Sequence, residues 1–303
     1  MPRWLLVHLQ LIRPPNVVTA AADSLAGWLL VGGALRETDT WLPLAFASMV
    51  LYASGIALND AFDADLDRIE RPGRPIPSGR VSRSFAFRLG GLGLAAGPLV
   101  AWLSGSAASL AIAALLAAVI LAYNAGLKQT RLGPLLMGGC RGLNLLLGMT
   151  HAERLGGPAA WVAATSFALF VTGLTWISRS ETETGEIRNL LAGLTLQNLA
   201  ILGLLAAAFK PRAFPNPPPE TPLLPLEGPL LLGLVALAVN LTATRAIHHP
   251  TPPHIQRTVT TGILALVWID VALVASVRGV GPALAVATLW IPAYLLGRIF
   301  YHT

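Results

Sequence analysis

Apolar stretches of about 20 residues recur along the whole chain, and polar loops separate them. A helix needs about 20 mostly apolar residues to cross the hydrocarbon core of a bilayer. Only 12% of the 303 residues are charged, whereas soluble domains carry roughly 25%. The chain is therefore expected to fold as an all-α, polytopic bundle in a membrane.

The apolar stretches predict ten transmembrane helices, and the last two of them allow one alternative interpretation. They are separated only by SVRGVG, so nine spans and a re-entrant segment are also compatible with the sequence. The predicted spans lie near residues 16–35, 41–60, 84–104, 107–125, 134–151, 159–178, 189–208, 228–247, 258–277 and 281–300.

Basic residues are distributed unevenly between the predicted loops. With a cytoplasmic N-terminus, most of the 21 Lys and Arg residues fall on the cytoplasmic side. The opposite side carries only Arg36, Arg154, Lys210, Arg212 and Arg278. Since Lys and Arg accumulate in cytoplasmic loops, this asymmetry predicts a cytoplasmic N-terminus. We attribute the net charge of +6 to membrane topology and expect no nucleic-acid partner.

The single cysteine and the N-terminal segment bear on disulfide formation and on targeting. Cys140 is the only cysteine, so no intrachain disulfide is possible. The segment MPRWLLVHLQLIRPPN lacks the order of charge, apolar core and cleavage site of a signal peptide. We expect it to form an interfacial helix that leads into the first span.

An acidic cluster follows the second predicted span, in ALNDAFDADLDRIERPGRPIPSGR. If the helix continues through residue 67, Asn59, Asp60, Asp63 and Asp67 share one face, and Asp65 points elsewhere. Like charges at i,i+4 cost roughly 0.2–0.5 kcal/mol each. Anions at a helix C-terminus are also disfavoured by the helix dipole. The cluster therefore predicts a bound cation, because a solvated acidic face explains neither the spacing nor the asparagine.

The loop after these carboxylates is rich in arginine and proline. Mg²⁺ is typically held by one or two carboxylates together with substrate phosphates, and arginine binds phosphate through two parallel hydrogen bonds. Carboxylates beside arginines at a membrane surface therefore indicate a site for the diphosphate of a lipid. The arginines are Arg68, Arg71, Arg74 and Arg80.

The segment NDAFDADLD followed by RPGRPIPSGR resembles the first aspartate-rich motif of the UbiA superfamily of intramembrane prenyltransferases. That motif reads NDxxDxxxD, with a basic loop that ends in RPxPxG. LIRPPN near the N-terminus also resembles the start of family members, and the resemblance extends from residue 10 to about residue 250. The matching motif residues are Asn59, Asp60, Asp63, Asp67, Arg74, Pro75, Pro77 and Gly79, with Arg13, Pro14 and Asn16 at the start.

Two further loops are compared with the same family. YNAGLKQTRLGP contains Tyr123 and Lys128, which match a tyrosine and a diphosphate-binding lysine of family members. TWISRSETETGEIRN occupies the place of the second aspartate-rich motif, DxxxD, but contains no aspartate. Glu181 and Glu186 are the equivalents we select as metal ligands; Glu183 is also available, and Arg179 is a substrate-binding candidate.

This departure leaves three outcomes open: a metal site built with glutamate, a site for one metal, or a member that has lost transferase chemistry. The longer glutamate side chain matters because octahedral Mg²⁺ tolerates little displacement of its ligands.

Charged residues within the predicted spans form a separate group. Asp23 and Asp270 lie well inside spans, so each is expected to face the bundle interior and to be paired or protonated. A role in an acceptor pocket and a structural hydrogen bond are equally compatible with them. Arg141 lies just inside another span, where a phosphate or an aspartate would satisfy it.

The resemblance implies one UbiA-like transmembrane prenyltransferase domain over residues 1–303, with a central cavity and a cytoplasmic cap. It also implies Mg²⁺-dependent transfer of a prenyl group from a prenyl diphosphate to a hydrophobic acceptor, which is expected to be aromatic or lipidic. The alternatives are a non-catalytic UbiA-like protein in transport or assembly, and an intramembrane terpene cyclase. The location expected is a bacterial inner membrane with the active site cytoplasmic. The acceptor, the prenyl length and the oligomeric state stay open.

The site residues implied by the resemblance divide into three roles. The catalytic residues are Asp60, Asp63, Asp67 and Lys128. The metal ligands are Asp60, Asp63, Asp67, Glu181 and Glu186. The substrate-binding residues are Asn16, Asn59, Arg74, Arg80, Tyr123, Arg141 and Arg179.

Overall fold

The computed structural model describes residues 3–180, 186–219 and 221–300, and within these ranges it contains α-helices and no strand. The all-α prediction is confirmed. In chain order the helices are α1 (Arg3–Ile12), α2 (Pro14–Leu30), α3 (Thr38–Phe62), α4 (Ala64–Glu70), α5 (Arg83–Trp102), α6 (Ala107–Asn124), α7 (Gly133–Gly148), α8 (Gly157–Ser178), α9 (Ile187–Ala208), α10 (Glu227–His248), α11 (Pro252–Arg278), α12 (Val280–Thr288) and α13 (Trp290–Phe300).

Among the described residues, 8 helical segments are long and apolar enough to cross a membrane. The protein is therefore an integral membrane protein, as predicted. Two more predicted spans correspond to α2 and α7, which have 17 and 16 residues. The last candidate segment, Val280–Gly297, contains the break between α12 and α13. The total number of spans stays a prediction.

Two helix ends differ from the sequence-based boundaries. The first predicted span ends at Leu30 rather than near residue 35, because Gly32 adopts φ +101°, which is outside the helical region. The second span was expected to continue as one helix through Asp67. Instead, α3 ends at Phe62 and α4 begins at Ala64. The amide of Asp63 still donates to the carbonyl of Asn59, so the chain bends at residue 63 without reversing.

The helices form an inner set and an outer set. In the most apolar 18-residue stretch of α11, 72% of the residues are buried, compared with 28% in α10. Helix α2 is buried along most of its length and contacts α3, α7, α11 and α13. The outer helices expose large apolar side chains such as Leu92 on α5 and Leu234 on α10. Burial on all sides places α2 and α11 at the centre of the bundle.

Glycines allow α2 and α7 to approach closely. A Cβ atom at Gly27 would collide with the carbonyl oxygen of Leu145, and one at Gly148 would collide with the carbonyl oxygen of Ser24. Small residues at such crossings are the usual means of tight packing between membrane helices. The crossing brings the polar side chains of α2 against those of α7.

Candidate active site

A cavity with two adjoining compartments lies between the inner helices. The larger compartment has a volume of about 1120 Å³, and the smaller has a volume of about 460 Å³. Both are within or above the range of volumes typical of ligand sites. The residues that line both compartments are Arg13, Asn16, Arg71, Arg74 and Ile263.

The lining of the larger compartment is amphipathic. Its charged residues come from the turn between α1 and α2, from the end of α3, and from the loop after α4. Its apolar residues come from α11 and α13, and they include Val259, Ile263, Val267 and Trp290. A ligand with an anionic head and a long apolar tail matches this division.

Asp60 lies at the centre of the charged part. Its carboxylate accepts a hydrogen bond from Arg13 at 2.6 Å and a longer one from Arg74 at 3.4 Å. The same nitrogen of Arg74, Nη1, also donates to Asp67 at 2.6 Å. Asp60 and Asp67 are buried, so each depends on these cations for its charge to be tolerated.

The backbone at Arg13 explains how that side chain reaches Asp60. Arg13 adopts φ 49° and ψ 69°, a left-handed conformation, and Pro14 and Pro15 begin α2 directly after it. Non-glycine residues in this region carry strain, which is often found at functional sites. The turn directs Arg13 to a carboxylate that is 47 residues away in the sequence.

Asp63 is neutralised separately. Lys128 lies 2.6 Å from its carboxylate and donates to the Asn59 side chain at 3.1 Å.

Arg179 does not lie among the residues that line either compartment, but its Nη2 donates to the carbonyl oxygens of Lys128 and Thr130. Arg179 therefore holds the turn that carries Lys128. We name Arg13, Asp60, Asp63, Asp67, Arg74 and Lys128 the ion-pair cluster.

Asp65 points away from the ion-pair cluster, as the helical spacing predicted. Its side chain is 67% exposed and pairs with Arg68 and Arg83 on the surface. The four aspartates of this segment therefore have different environments, although they lie within eight residues.

The donor set of the ion-pair cluster fits Mg²⁺. Within the described residues there is no group of three or more Asp, Glu, His or Cys side chains arranged around one point. However, Asp60 and Asp67 converge on a single nitrogen atom of Arg74, which shows that their oxygens can share one cation. Mg²⁺ sites commonly use one or two carboxylates and complete the shell with phosphate and water.

Four of the other residues selected from the sequence line the cavity, whereas Glu186 is not among the lining residues. Asn16 lines both compartments, Arg80 lines the larger one, and Tyr123 and Arg141 line the smaller one. Glu186 is exposed and directly precedes α9. Glu181 and Glu183, the other acidic residues considered in that loop, lie outside the described residues.

Three cavity residues were not selected as site residues from the sequence. The sequence identifies Arg13 only as part of the N-terminal resemblance and Arg71 only as one of several loop arginines, and it gives no signal for Tyr52. Tyr52 lines the smaller compartment, and its ring lies 5.0 Å from the guanidinium carbon of Arg141. The proline pair after Arg13 was the one local signal of a fixed turn at the site.

A family model described as the UbiA prenyltransferase family matches residues 22–257. The chain belongs to this family. The match covers most of the chain and includes all residues of the first aspartate-rich motif, so the resemblance stated from the motifs is confirmed.

Two relatives with 35–36% sequence identity to the chain have the same name. The chain is 36% identical over 172 residues to "Digeranylgeranylglyceryl phosphate synthase" of Methanothrix thermoacetophila, an alignment of 56% of this chain and 61% of the relative. It is 35% identical over 165 residues to the protein of the same name from Methanopyrus kandleri, covering 53% of this chain and 58% of the relative. These alignments therefore span about three fifths of the relatives' length.

Two solved structures have the same fold. One comes from work on digeranylgeranylglyceryl phosphate synthase in membranes, with a TM-score of 0.65, 18% identity, and coverage of 91% of this chain and 99% of that chain. The other is the apo structure of a UbiA homolog from Aeropyrum pernix K1, with a TM-score of 0.68, 18% identity, and coverage of 87% and 98%. The helical bundle is therefore the UbiA fold.

Proposed function

We propose that the protein is an intramembrane prenyltransferase that takes a prenyl diphosphate as donor. The observation that carries the proposal is the amphipathic cavity, in which Arg13, Arg71, Arg74 and Arg80 lie at one part and the apolar faces of α11 and α13 line another. The guanidinium groups match a diphosphate, and the apolar wall matches an isoprenoid chain.

The proposed reaction breaks the bond between the allylic carbon and the diphosphate oxygen, and the electron pair leaves with the diphosphate. The oxygen of an acceptor hydroxyl forms the new bond to that carbon, and the hydroxyl proton passes to the released diphosphate. Negative charge grows on the leaving diphosphate, where Arg74 and Arg13 provide fixed positive charge. The apolar wall excludes water, which would otherwise capture the allylic cation.

Asp60, Asp67 and Asp63 are the residues proposed to hold Mg²⁺, with Asn59 beside them. When bound, the ion supplies additional positive charge to the diphosphate. In this proposal Arg74 moves its hydrogen bonds from Asp60 and Asp67 to the diphosphate. Lys128 holds Asp63 and Asn59 in place until the donor binds.

The names of the relatives support a specific acceptor class. Their product, a glyceryl phosphate with two geranylgeranyl chains, implies an acceptor that is a glyceryl phosphate already carrying one such chain. We extend this acceptor class, and a geranylgeranyl donor, to the present chain as part of the proposal. We also propose that the ion-pair cluster faces the cytoplasm, as the distribution of Lys and Arg indicates.

The direct test is an assay of pyrophosphate release by the full chain in detergent or liposomes. Labelled prenyl diphosphates of several lengths are supplied with and without a geranylgeranylglyceryl phosphate acceptor, in Mg²⁺ and then in EDTA. The proposal expects a prenylated acceptor and stoichiometric pyrophosphate only when donor, acceptor and Mg²⁺ are all present. Pyrophosphate release that needs no acceptor would favour a terpene cyclase, and absence of release with every donor would favour a non-catalytic protein.

A further inference from the structure

The smaller compartment of the cavity differs from the larger one in the side chains of its wall. Phenol, amide and hydroxyl groups from α3, α6 and α7 line it. Some of these groups already have partners inside the protein; the hydroxyl of Ser48, for example, donates to the carbonyl oxygen of Ala20. Buried polar groups are seldom left unsatisfied. The groups that have no partner therefore indicate what the compartment can bind.

Two asparagines of this wall each have one unsatisfied oxygen. Asn124 on α6 and Asn144 on α7 are 3% and 4% exposed. The amide nitrogen of Asn124 donates to two backbone carbonyl oxygens, and that of Asn144 donates to one carbonyl oxygen and to Asp23. Because carbonyl oxygens only accept, the orientation of both amides is fixed. Among the described residues, nothing donates to either amide oxygen.

Tyr52 on α3 provides an unused hydroxyl in the same wall. Its ring lies 5.0 Å from the guanidinium carbon of Arg141. Arg141 is held in turn by Asp23 and by the hydroxyl of Thr19, so the ring packs against a fixed partner. Within the described part of the chain, the Tyr52 hydroxyl has no hydrogen-bond partner. Tyrosine hydroxyls in the interior usually find one.

Arg71 is an unpaired cation at the boundary between the two compartments. It directly follows α4 and lines both of them. Arg13 and Arg74 also line both, but they are paired with carboxylates. Across the residues that the structure describes, the Arg71 side chain has neither an ion pair nor a hydrogen bond. Its guanidinium is therefore free to bind a phosphate.

These unused groups discriminate between two possible occupants of the smaller compartment. An ionised diphosphate has only acceptor oxygens, so it could bind Arg71 or Tyr52 but could not satisfy the amide oxygens of the asparagines. A head group with both a hydroxyl and a phosphate supplies a donor for the amide oxygens and an anion for the arginine. The acceptor class proposed above, a glyceryl phosphate with one apolar chain, has such a head group.

We infer that the smaller compartment binds the head group of the acceptor. Arg71 binds its phosphate, and Tyr52 binds its free hydroxyl together with the asparagine oxygens. This inference rests on the proposed prenyl transfer and assigns its second substrate to a place. Since the two compartments share Arg13 and Arg74 in their walls, an acceptor held there has its hydroxyl on the side of the donor's diphosphate.

Equilibrium binding to the full chain in nanodiscs, without donor, tests the inference. The probes are geranylgeranylglyceryl phosphate and geranylgeranylglycerol, which differ by the phosphate alone. Tyr52→Phe keeps the ring over Arg141 and should weaken both probes about fivefold, the effect of one neutral hydrogen bond. Arg71→Gln should weaken the phosphorylated probe about 30-fold and leave the other unchanged. Arg68→Gln, at an exposed arginine that lines neither compartment, should change neither.

Two results would overturn the inference. If the wild type binds neither probe, or both variants bind them as the wild type does, the unused groups serve only water. If the variants instead lose affinity for a non-cleavable donor analogue and keep that for the probes, the groups belong to the donor site. The pyrophosphate assay reports separately on the proposed function. Binding as expected without any pyrophosphate release would refute prenyl transfer and leave the binding site standing.

Discussion

Aspartate–arginine ion pairs occur both in the ion-pair cluster and in the buried pair of Arg141 on α7 with Asp23 on α2, but the two places differ in exposure. In the cluster, the Arg13 and Arg74 side chains are 29% and 21% exposed and line the cavity, so a ligand in the cavity can reach them. In the buried pair, the side chains of Arg141 and Asp23 are 6% and 0% exposed. Burial, rather than residue type, therefore separates cations that can exchange partners with a ligand from a cation that already donates to Asp23 and Thr19.

The largest expected effect concerns the buried pair of Arg141 and Asp23. Arg141→Met keeps the volume of the side chain but leaves Asp23 buried without its cation. Breaking a buried pair in this way costs about 3–5 kcal/mol of unfolding free energy. Reversible unfolding in mixed micelles measures the loss. Arg68→Ala is the matched control, because its pair with Asp65 is exposed, and exposed pairs contribute about 1 kcal/mol or less. Equal losses in the two variants would erase the distinction between buried and exposed pairs.

The second prediction concerns activity. Asp60→Asn removes the charge that Arg13 and Arg74 share, and we expect kcat/KM for prenyl transfer to fall on the order of 100- to 1000-fold, the range seen when one electrostatic contact to the reacting groups is removed. The pyrophosphate assay measures it.

Asp65→Asn is the control for that variant. This carboxylate lies on the same segment but is 67% exposed, so its removal is expected to change kcat/KM less than twofold, about 0.4 kcal/mol. If the two variants lost activity equally, the placement of Asp60 inside the site and of Asp65 outside it would be wrong.

A smaller effect is expected for Arg74→Lys. Lysine keeps the charge but lacks the planar fork, so it cannot bridge two carboxylates or a diphosphate in the same way. The KM for the donor should rise by about tenfold, equivalent to about 1.4 kcal/mol, with a smaller change in kcat. Steady-state kinetics with varied donor separates the two constants. An unchanged KM would show that Arg74 serves only to pair Asp60 and Asp67.

The smallest effect is expected for Arg179→Ala. Arg179 holds the turn of Lys128 through backbone carbonyl oxygens, so its loss should reduce kcat by a few-fold, about 1 kcal/mol, without changing the KM for the acceptor. Arg131→Ala, an exposed residue of the same loop, is the control and should have no effect. A large rise in donor KM for Arg179→Ala would instead indicate direct contact with the diphosphate.

The sequence predicted features that are local in the chain. The all-α bundle follows from the length of the apolar stretches, and the outward direction of Asp65 follows from helical spacing. The aspartate motif also placed Asp60 and Asp67 near Arg74, which is only 7 to 14 residues away. Each of these depends on contacts within one helix or one loop.

Contacts between distant segments were not predicted. Arg141 was expected to meet a phosphate or an aspartate, and the choice of Asp23, 118 residues away, depends on the tight crossing of α2 and α7. The pairing of Arg13 with Asp60 depends on the left-handed turn before α2. The end of α3 at Phe62 was missed because the helical pattern continues through the bend. Helix packing decides such features, and hydrophobic periodicity does not report it.

The central claim is that the charged part of the larger compartment holds a diphosphate while the wall of α11 and α13 holds its isoprenoid chain. The most direct measurement is a cryo-electron microscopy structure of the full chain with Mg²⁺ and a non-cleavable geranylgeranyl diphosphate analogue. The claim predicts the two phosphates between Arg13, Arg74 and Arg80, and the chain along Val259, Ile263 and Val267. A diphosphate bound away from these arginines, or a chain lying outside the cavity, would contradict it.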